Sequence, residues 1–324
     1  MDRSPYPPEW LQEQQWRGLR LSLLSAPATS SGPGTGLTSS TVVLIHGFGA
    51  CKEHWRHNVE PLRAERPVLA VDLIGFGASA KPRSRLEGEP AEAGSVRYGI
   101  DLWAEQVVDV LSACGVGPVQ LVGNSIGGVV ALAAAERLAA AGRPARQVVL
   151  LDCAQRALDD KRLAEQPPLA RWGRPLLKSL VRQRWLTGAL FRSLARPAVI
   201  RRVLLQAYPS GAHVDDQLVE LLLKPALQPG ASEAFRGFIN LFNDRIAPEL
   251  LAELTTPVTM VWGQQDPWEP VAEARRWAAS FACLRQLHEL PGLGHCPHDE
   301  GPEQLNPLLL EILRQGDQRD WAIT

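Results

Sequence analysis

The 324-residue chain is 45% hydrophobic and has a net charge of −1. It is long enough to bury a large core, and it lacks the basic excess of a nucleic-acid-binding protein. No run of eighteen apolar residues occurs, so no transmembrane helix is predicted, and Met1–Trp10 has no apolar segment that would read as a signal or transit peptide. The five cysteines (Cys51, Cys114, Cys153, Cys283, Cys296) are scattered with no C-x-x-C pair, which predicts free thiols in a reducing cytoplasm. Neither a metal nor a cofactor is expected.

In chain order, a short strand near 19–24 precedes a Ser/Thr/Gly/Pro loop at 29–40. The apolar run Thr41–Ile45 ends in His46-Gly47-Phe48-Gly49. Similar runs follow at 68–71, 119–122, 148–151 and 258–262, with a weaker one at 285–290. Such runs suit strands buried on both faces of a parallel sheet. Helical patterns at 102–114, 126–141 and 271–281 alternate with them, which predicts an α/β fold. The acidic, Gly- and Pro-bearing stretch 83–97 reads as a solvated insertion loop.

Residues 156–245 break this rhythm with leucines at helical spacing and no β-like run. They carry fifteen Lys and Arg against eight Asp and Glu, a local +7 set against −8 for the remainder. The predicted organisation is a core at 1–155, a basic helical lid at 156–245, and a second core part at 246–324. Most lid arginines read as a solvated face, and peripheral contact with an anionic membrane is the alternative for that face.

Gly123-Asn124-Ser125-Ile126-Gly127 stands between the run 119–122 and an Ala-rich helix. A G-x-S-x-G pentapeptide in that context places the serine on a sharp strand-to-helix turn, where its hydroxyl is exposed as a nucleophile. The Ile126 N–H at the helix start and the Phe48 N–H after the preceding strand are the expected oxyanion donors. The order serine, acid, histidine then selects Asp266, in the loop after 258–262, and His295, after the last strand. Asp152 is the rival acid and His298 the rival base, whereas His46 and His288 read as structural.

These residues resemble the α/β-hydrolase superfamily over about residues 41–314. The resemblance sharpens at His46–Gly49 with Trp55, at Asp72–Pro82, at Asp266-Pro267-Trp268-Glu269-Pro270, and at Gly294-His295-Cys296-Pro297-His298-Asp299-Glu300. The last two, with Gly-Asn-Ser-x-Gly-Gly at 123–128, are similar to the pheophytinase and chlorophyll dephytylase group of plants and cyanobacteria. The resemblance implies a mostly parallel eight-stranded sheet flanked by helices, with the lid between strands 6 and 7. It also implies a Ser125, Asp266, His295 triad acting on an apolar ester, with a phytyl ester of pheophytin or chlorophyll as subtype. A cytoplasmic protein, peripheral to a thylakoid membrane if it meets one, would fit that reading. A carbon–carbon bond hydrolase, a haloperoxidase, a non-catalytic receptor and a pigment-handling accessory protein are the other expectations the same shell allows.

Overall fold

The computed structural model describes residues 4–29 and 39–318, so most of the loop expected at 29–40 lies outside the described residues. Eight strands form one sheet: β1 (Leu11–Trp16), β2 (Leu19–Ala26), β3 (Thr41–Ile45), β4 (Val68–Val71), β5 (Val119–Asn124), β6 (Gln147–Leu151), β7 (Val258–Gly263) and β8 (Leu284–Leu290). Their order is β1-β2-β4-β3-β5-β6-β7-β8. β2 is antiparallel to both β1 and β4, and every other pairing is parallel. β1 has no counterpart in the apolar runs of the sequence. It is an edge strand, Leu-Gln-Glu-Gln-Gln-Trp, with only Trp16 buried, so no apolar run marks it.

The helices are α1 (Val59–Arg63), α2 (Ile100–Ala113), α3 (Ile126–Ala140), α4 (Pro168–Arg182), α5 (Arg184–Leu194), α6 (Pro197–Ala207), α7 (Asp216–Ala226), α8 (Ala231–Ile239), α9 (Ala247–Glu253), α10 (Val271–Ser280), α11 (Pro297–Glu300) and α12 (Pro302–Gln318). Alternate residues of the central strands point to opposite sides. Val43, Ile45, Leu121, Leu150 and Met260 join α2, α3 and α10 in one core. Val42, Leu44, Val122, Val149 and Val261 join α1 and α12 in the other. Both faces are therefore covered, which is why these strands read as continuous apolar runs. α4 to α9 all lie between β6 and β7. Among the described residues no helix is long and apolar enough to cross a membrane.

The acidic loop at 83–97 is exposed as expected at 87–88 and 90–94, and it is anchored by a few buried residues. Ser84 pairs with Val96, and Ser84 and Leu86 are buried. Glu89 forms an ion pair with Arg236, a guanidinium buried at 2% exposure. Arg236 also bonds Ser84 Oγ at 3.1 Å and the Arg182 carbonyl at 2.8 Å. Arg184 pairs with Glu233, and Arg182 donates to the Glu87 carbonyl at 2.7 Å. The acidic insert and the basic lid are thus each other's partners, and part of the lid's charge faces inward. Hydrogen bonding to Arg236 holds the Glu89 carboxyl down at about 2, against the desolvation of its partial burial.

Removing one partner of a buried pair leaves an uncompensated charge. Glu89→Gln should therefore lower unfolding stability by roughly 1–3 kcal/mol and speed proteolysis within the lid. Urea unfolding and limited trypsin digestion measure both, and an unchanged midpoint and digestion rate would rule out a stabilising role for the Glu89–Arg236 pair.

Candidate active site

β5 ends at Asn124 and α3 begins at Ile126, so Ser125 alone makes the turn between them. Its backbone sits at φ 56°, ψ −125°, a conformation that costs a non-glycine residue on the order of 1–3 kcal/mol. The neighbours make the turn possible. A Cβ at Gly123 would lie 2.2 Å from the Gly127 carbonyl oxygen, and one at Gly127 would lie 2.4 Å from the Ile45 carbonyl oxygen. Gly47 approaches the turn from β3, and a Cβ there would meet Ser125 Cβ at 3.1 Å. The Ser125 N–H donates to the Leu151 carbonyl at 3.0 Å, which ties the turn to β6.

His295 and Asp266 meet as expected. His295 Nδ1 lies 2.8 Å from Asp266 Oδ2, and both residues are buried. Asp266 Oδ1 accepts the Trp268 and Glu269 N–H groups at 2.8 and 3.0 Å, so both carboxylate oxygens are engaged. A carboxylate accepts only, so Nδ1 carries the ring proton and the neutral ring's other nitrogen is the basic one. The Trp268 ring packs edge-on against the imidazole at 4.9 Å. Asn124 Nδ2 donates to the His295 carbonyl at 2.9 Å, which clamps the histidine loop to the residue before the serine. Among the described residues the Ser125 hydroxyl makes no hydrogen bond. Such bonds commonly tighten only when substrate is bound.

The expected oxyanion donors lie on the two elements that meet at this point. Ile126 opens α3, where the first N–H groups have no intrahelical acceptor. The Phe48 N–H donates to no acceptor among the described residues. The Phe48 ring stacks on Phe238 at 3.8 Å and meets Phe76 edge-on at 5.7 Å. Together with Phe191 and Phe235 it lines a small aromatic cleft of about 40 Å³. Larger surface clefts lie elsewhere, and neither they nor the Phe48 cleft is lined by Ser125, Asp266 or His295.

The rival residues occupy other environments. Asp152 is fully buried, and its Oδ1 accepts the Gly263 N–H at 2.9 Å. Burial pushes its carboxyl well up, and the adjacent Asp266 adds to this. His298 is buried with its Nε2 at 3.4 Å from His54 Nδ1, and burial pushes it well down. His46 accepts the Leu73 N–H at Nε2 and donates from Nδ1 to the Gly47 carbonyl, which holds the loop after β3. His288 lies within β8. Among the described residues no group of three or more His, Cys, Asp or Glu is placed to hold a metal.

Roles for several residues were not legible in the sequence, although their motifs were visible. Glu300 accepts the Gly294 N–H at 2.6 Å and the Ser210 N–H at 2.9 Å, joining the histidine loop to the lid. Asp299 takes Arg56 and the Tyr208 hydroxyl. Burial pushes the Glu269 carboxyl up to about 7, and the nearby Asp266 adds to the rise against the opposing Gln155 N–H and His295.

The model of the Alpha/beta hydrolase family matches residues 42–308. The dihydrolipoyllysine-residue acetyltransferase component of the acetoin cleaving system of Pseudomonas putida is 28% identical over 85% of this chain and 63% of its own length. The 2-hydroxymuconate semialdehyde hydrolase of Pseudomonas sp. (strain CF600) is 25% identical over 85% of this chain and 87% of its own. Chloroplastic pheophytinase of Arabidopsis thaliana is 25% identical over 84% of this chain and 61% of its own. The chain therefore spans less than two thirds of the length of the first and third of these relatives.

Glu269 gives the site a pH signature. Its folded-state pKa lies above the 4.5 of an unperturbed carboxyl, so its contribution to stability is complete below about pH 4.5 and lost as pH rises through about 7. Glu269→Gln keeps an acceptor for the Gln155 N–H but cannot ionise. Wild-type stability should fall relative to that variant by up to ~3 kcal/mol between pH 4.5 and 8. Urea unfolding across that range measures the difference, and parallel curves would refute it. Fold, strand order and family model agree, and the chain belongs to the alpha/beta hydrolase family.

Proposed function

We propose that this protein is a serine hydrolase that cleaves a carboxylic ester, with Ser125 as nucleophile, His295 as general base and acid, and Asp266 as its orienting carboxylate. The observation that carries this reading is the 2.8 Å contact of His295 Nδ1 with Asp266, held by Asn124 against the strained turn that presents Ser125. In the first step Ser125 Oγ bonds to the ester carbonyl carbon, and its proton passes to His295 Nε2. The carbonyl π electrons move onto oxygen, where the Phe48 and Ile126 N–H groups stabilise the oxyanion. Collapse breaks the carbon–oxygen bond to the alcohol, which leaves with the proton from His295. Water then repeats the sequence on the acyl-enzyme, releasing the acid and restoring Ser125.

The aromatic cleft beside Phe48 favours an apolar ester. A phytyl ester is the subtype supported by the resemblance of the 123–128, 266–270 and 294–300 segments and by the pheophytinase relative. Hydrolysis of a carbon–carbon bond uses the same three residues and is separated by substrate.

A fluorophosphonate probe should label wild type and not Ser125→Ala. Asp266→Asn should cut turnover of p-nitrophenyl esters by about four orders of magnitude, whereas Asp152→Asn, at a residue whose carboxyl accepts the Gly263 N–H, should keep most of it. Loss of activity in the second variant alone would reassign the acid, and labelling that persists in Ser125→Ala would overturn the nucleophile. Release of phytol from pheophytin tests the subtype. Labelling with no ester turnover would favour the carbon–carbon reading.

A further inference from the structure

α4 sits on the protein with its charged side inward. Arg174, 5% exposed, and Lys178 both pair with Asp160, and both lie over the Phe242 ring at 4.8 and 5.2 Å. The opposite face carries Trp172, Leu176 and Leu180 at four-residue spacing, which aligns them along one side of the helix. Trp172 is 87% exposed and Leu176 66%. Trp185, just past the α4–α5 corner, is 73% exposed. A helix of a water-facing surface presents the reverse arrangement.

Along the chain, the charge of this segment has one sign. Between Glu165 and Asp215 the chain contains nine Lys and Arg and no Asp or Glu. Several are paired to partners outside that stretch. Arg171 on α4 and Arg192 on α5 are exposed and make no ion pair among the described residues.

We propose that this face of the lid docks on a lipid bilayer containing anionic headgroups, with Trp172, Leu176, Leu180 and Trp185 entering the interface and the surrounding cations meeting the phosphates. An exposed apolar stripe flanked by Arg and Lys is the chemistry of an interfacial helix. A second copy of this chain fits less well. Pairing two such faces would bring together two acid-free, basic stretches with no carboxylate between Glu165 and Asp215 to offset them. The docking does not depend on the reaction proposed above, and its test needs no turnover.

Sedimentation of the full chain with vesicles of phosphatidylcholine, with and without phosphatidylglycerol, tests it. Wild type should bind the anionic vesicles at least about tenfold more tightly than the neutral ones, with affinity falling as salt rises. Trp172→Gln/Leu176→Gln/Leu180→Gln and, separately, Arg171→Glu/Arg192→Glu should each weaken that binding about tenfold or more. Exposed sites tolerate such changes, and an unaltered thermal melt shows that each variant is folded. Equal binding to both vesicle types, or folded variants that bind like wild type, would overturn the proposal. A dimer in sedimentation equilibrium that the triple variant dissolves would assign the face to a second copy instead.

Discussion

Between the carboxyl ends of β3 and β5 there is room for hydrogen atoms and little more. A Cβ at Gly127 would sit 2.4 Å from the Ile45 carbonyl oxygen, and one at Gly47 would touch Ser125 Cβ at 3.1 Å. This close approach lets β5 turn into α3 through a single residue and places the loop after β3 against that turn. The strained backbone of Ser125 is stable only because its surroundings over-determine it, with the Leu151 carbonyl on β6 holding its N–H. A side chain at either glycine would push the loop after β3, which carries the Phe48 N–H, away from the turn.

The candidate base is held by a second set of constraints, and these run through the lid. The His295 N–H donates to the Ala207 carbonyl at the end of α6, and Glu300 bonds both the histidine loop and Ser210. Behind them, His54, Tyr208, Asp299 and Arg56 form a buried polar network. Burial pushes His54 down to about 4, so its imidazole is neutral and acts here as a hydrogen-bonding spacer. The position of the imidazole is therefore coupled to the seating of α6, and a lid movement would be felt at the site.

Charge is distributed over the lid by position. Arg236, Arg184 and Arg182 turn toward the loop at 83–97, and Arg174 and Lys178 turn toward Asp160. What remains on the outside of α4 is an apolar stripe beside the exposed Arg171. A segment whose cations are largely spent on internal partners exposes its leucines and tryptophans, a distribution opposite to that of an ordinary surface helix.

Local pattern was sufficient for much of this. Apolar runs buried on both faces announced five of the eight strands, and a serine between glycines at a strand-to-helix junction announced the turn, because both signals lie within a few consecutive residues. β1 was hidden since an edge strand with polar faces has no apolar run. The meeting of Asp266 with His295 could be anticipated from their order, but their 2.8 Å contact and the raised carboxyls of Asp152 and Glu269 depend on burial and on neighbours far away in the chain. The same holds for the lid. Its net charge of +7 is a property of composition, whereas which cations face Glu89 and Asp160, and which face of α4 is left to the outside, were decided by packing. A helix's amphipathic pattern specifies two faces, and only the tertiary structure determines which of them is turned inward.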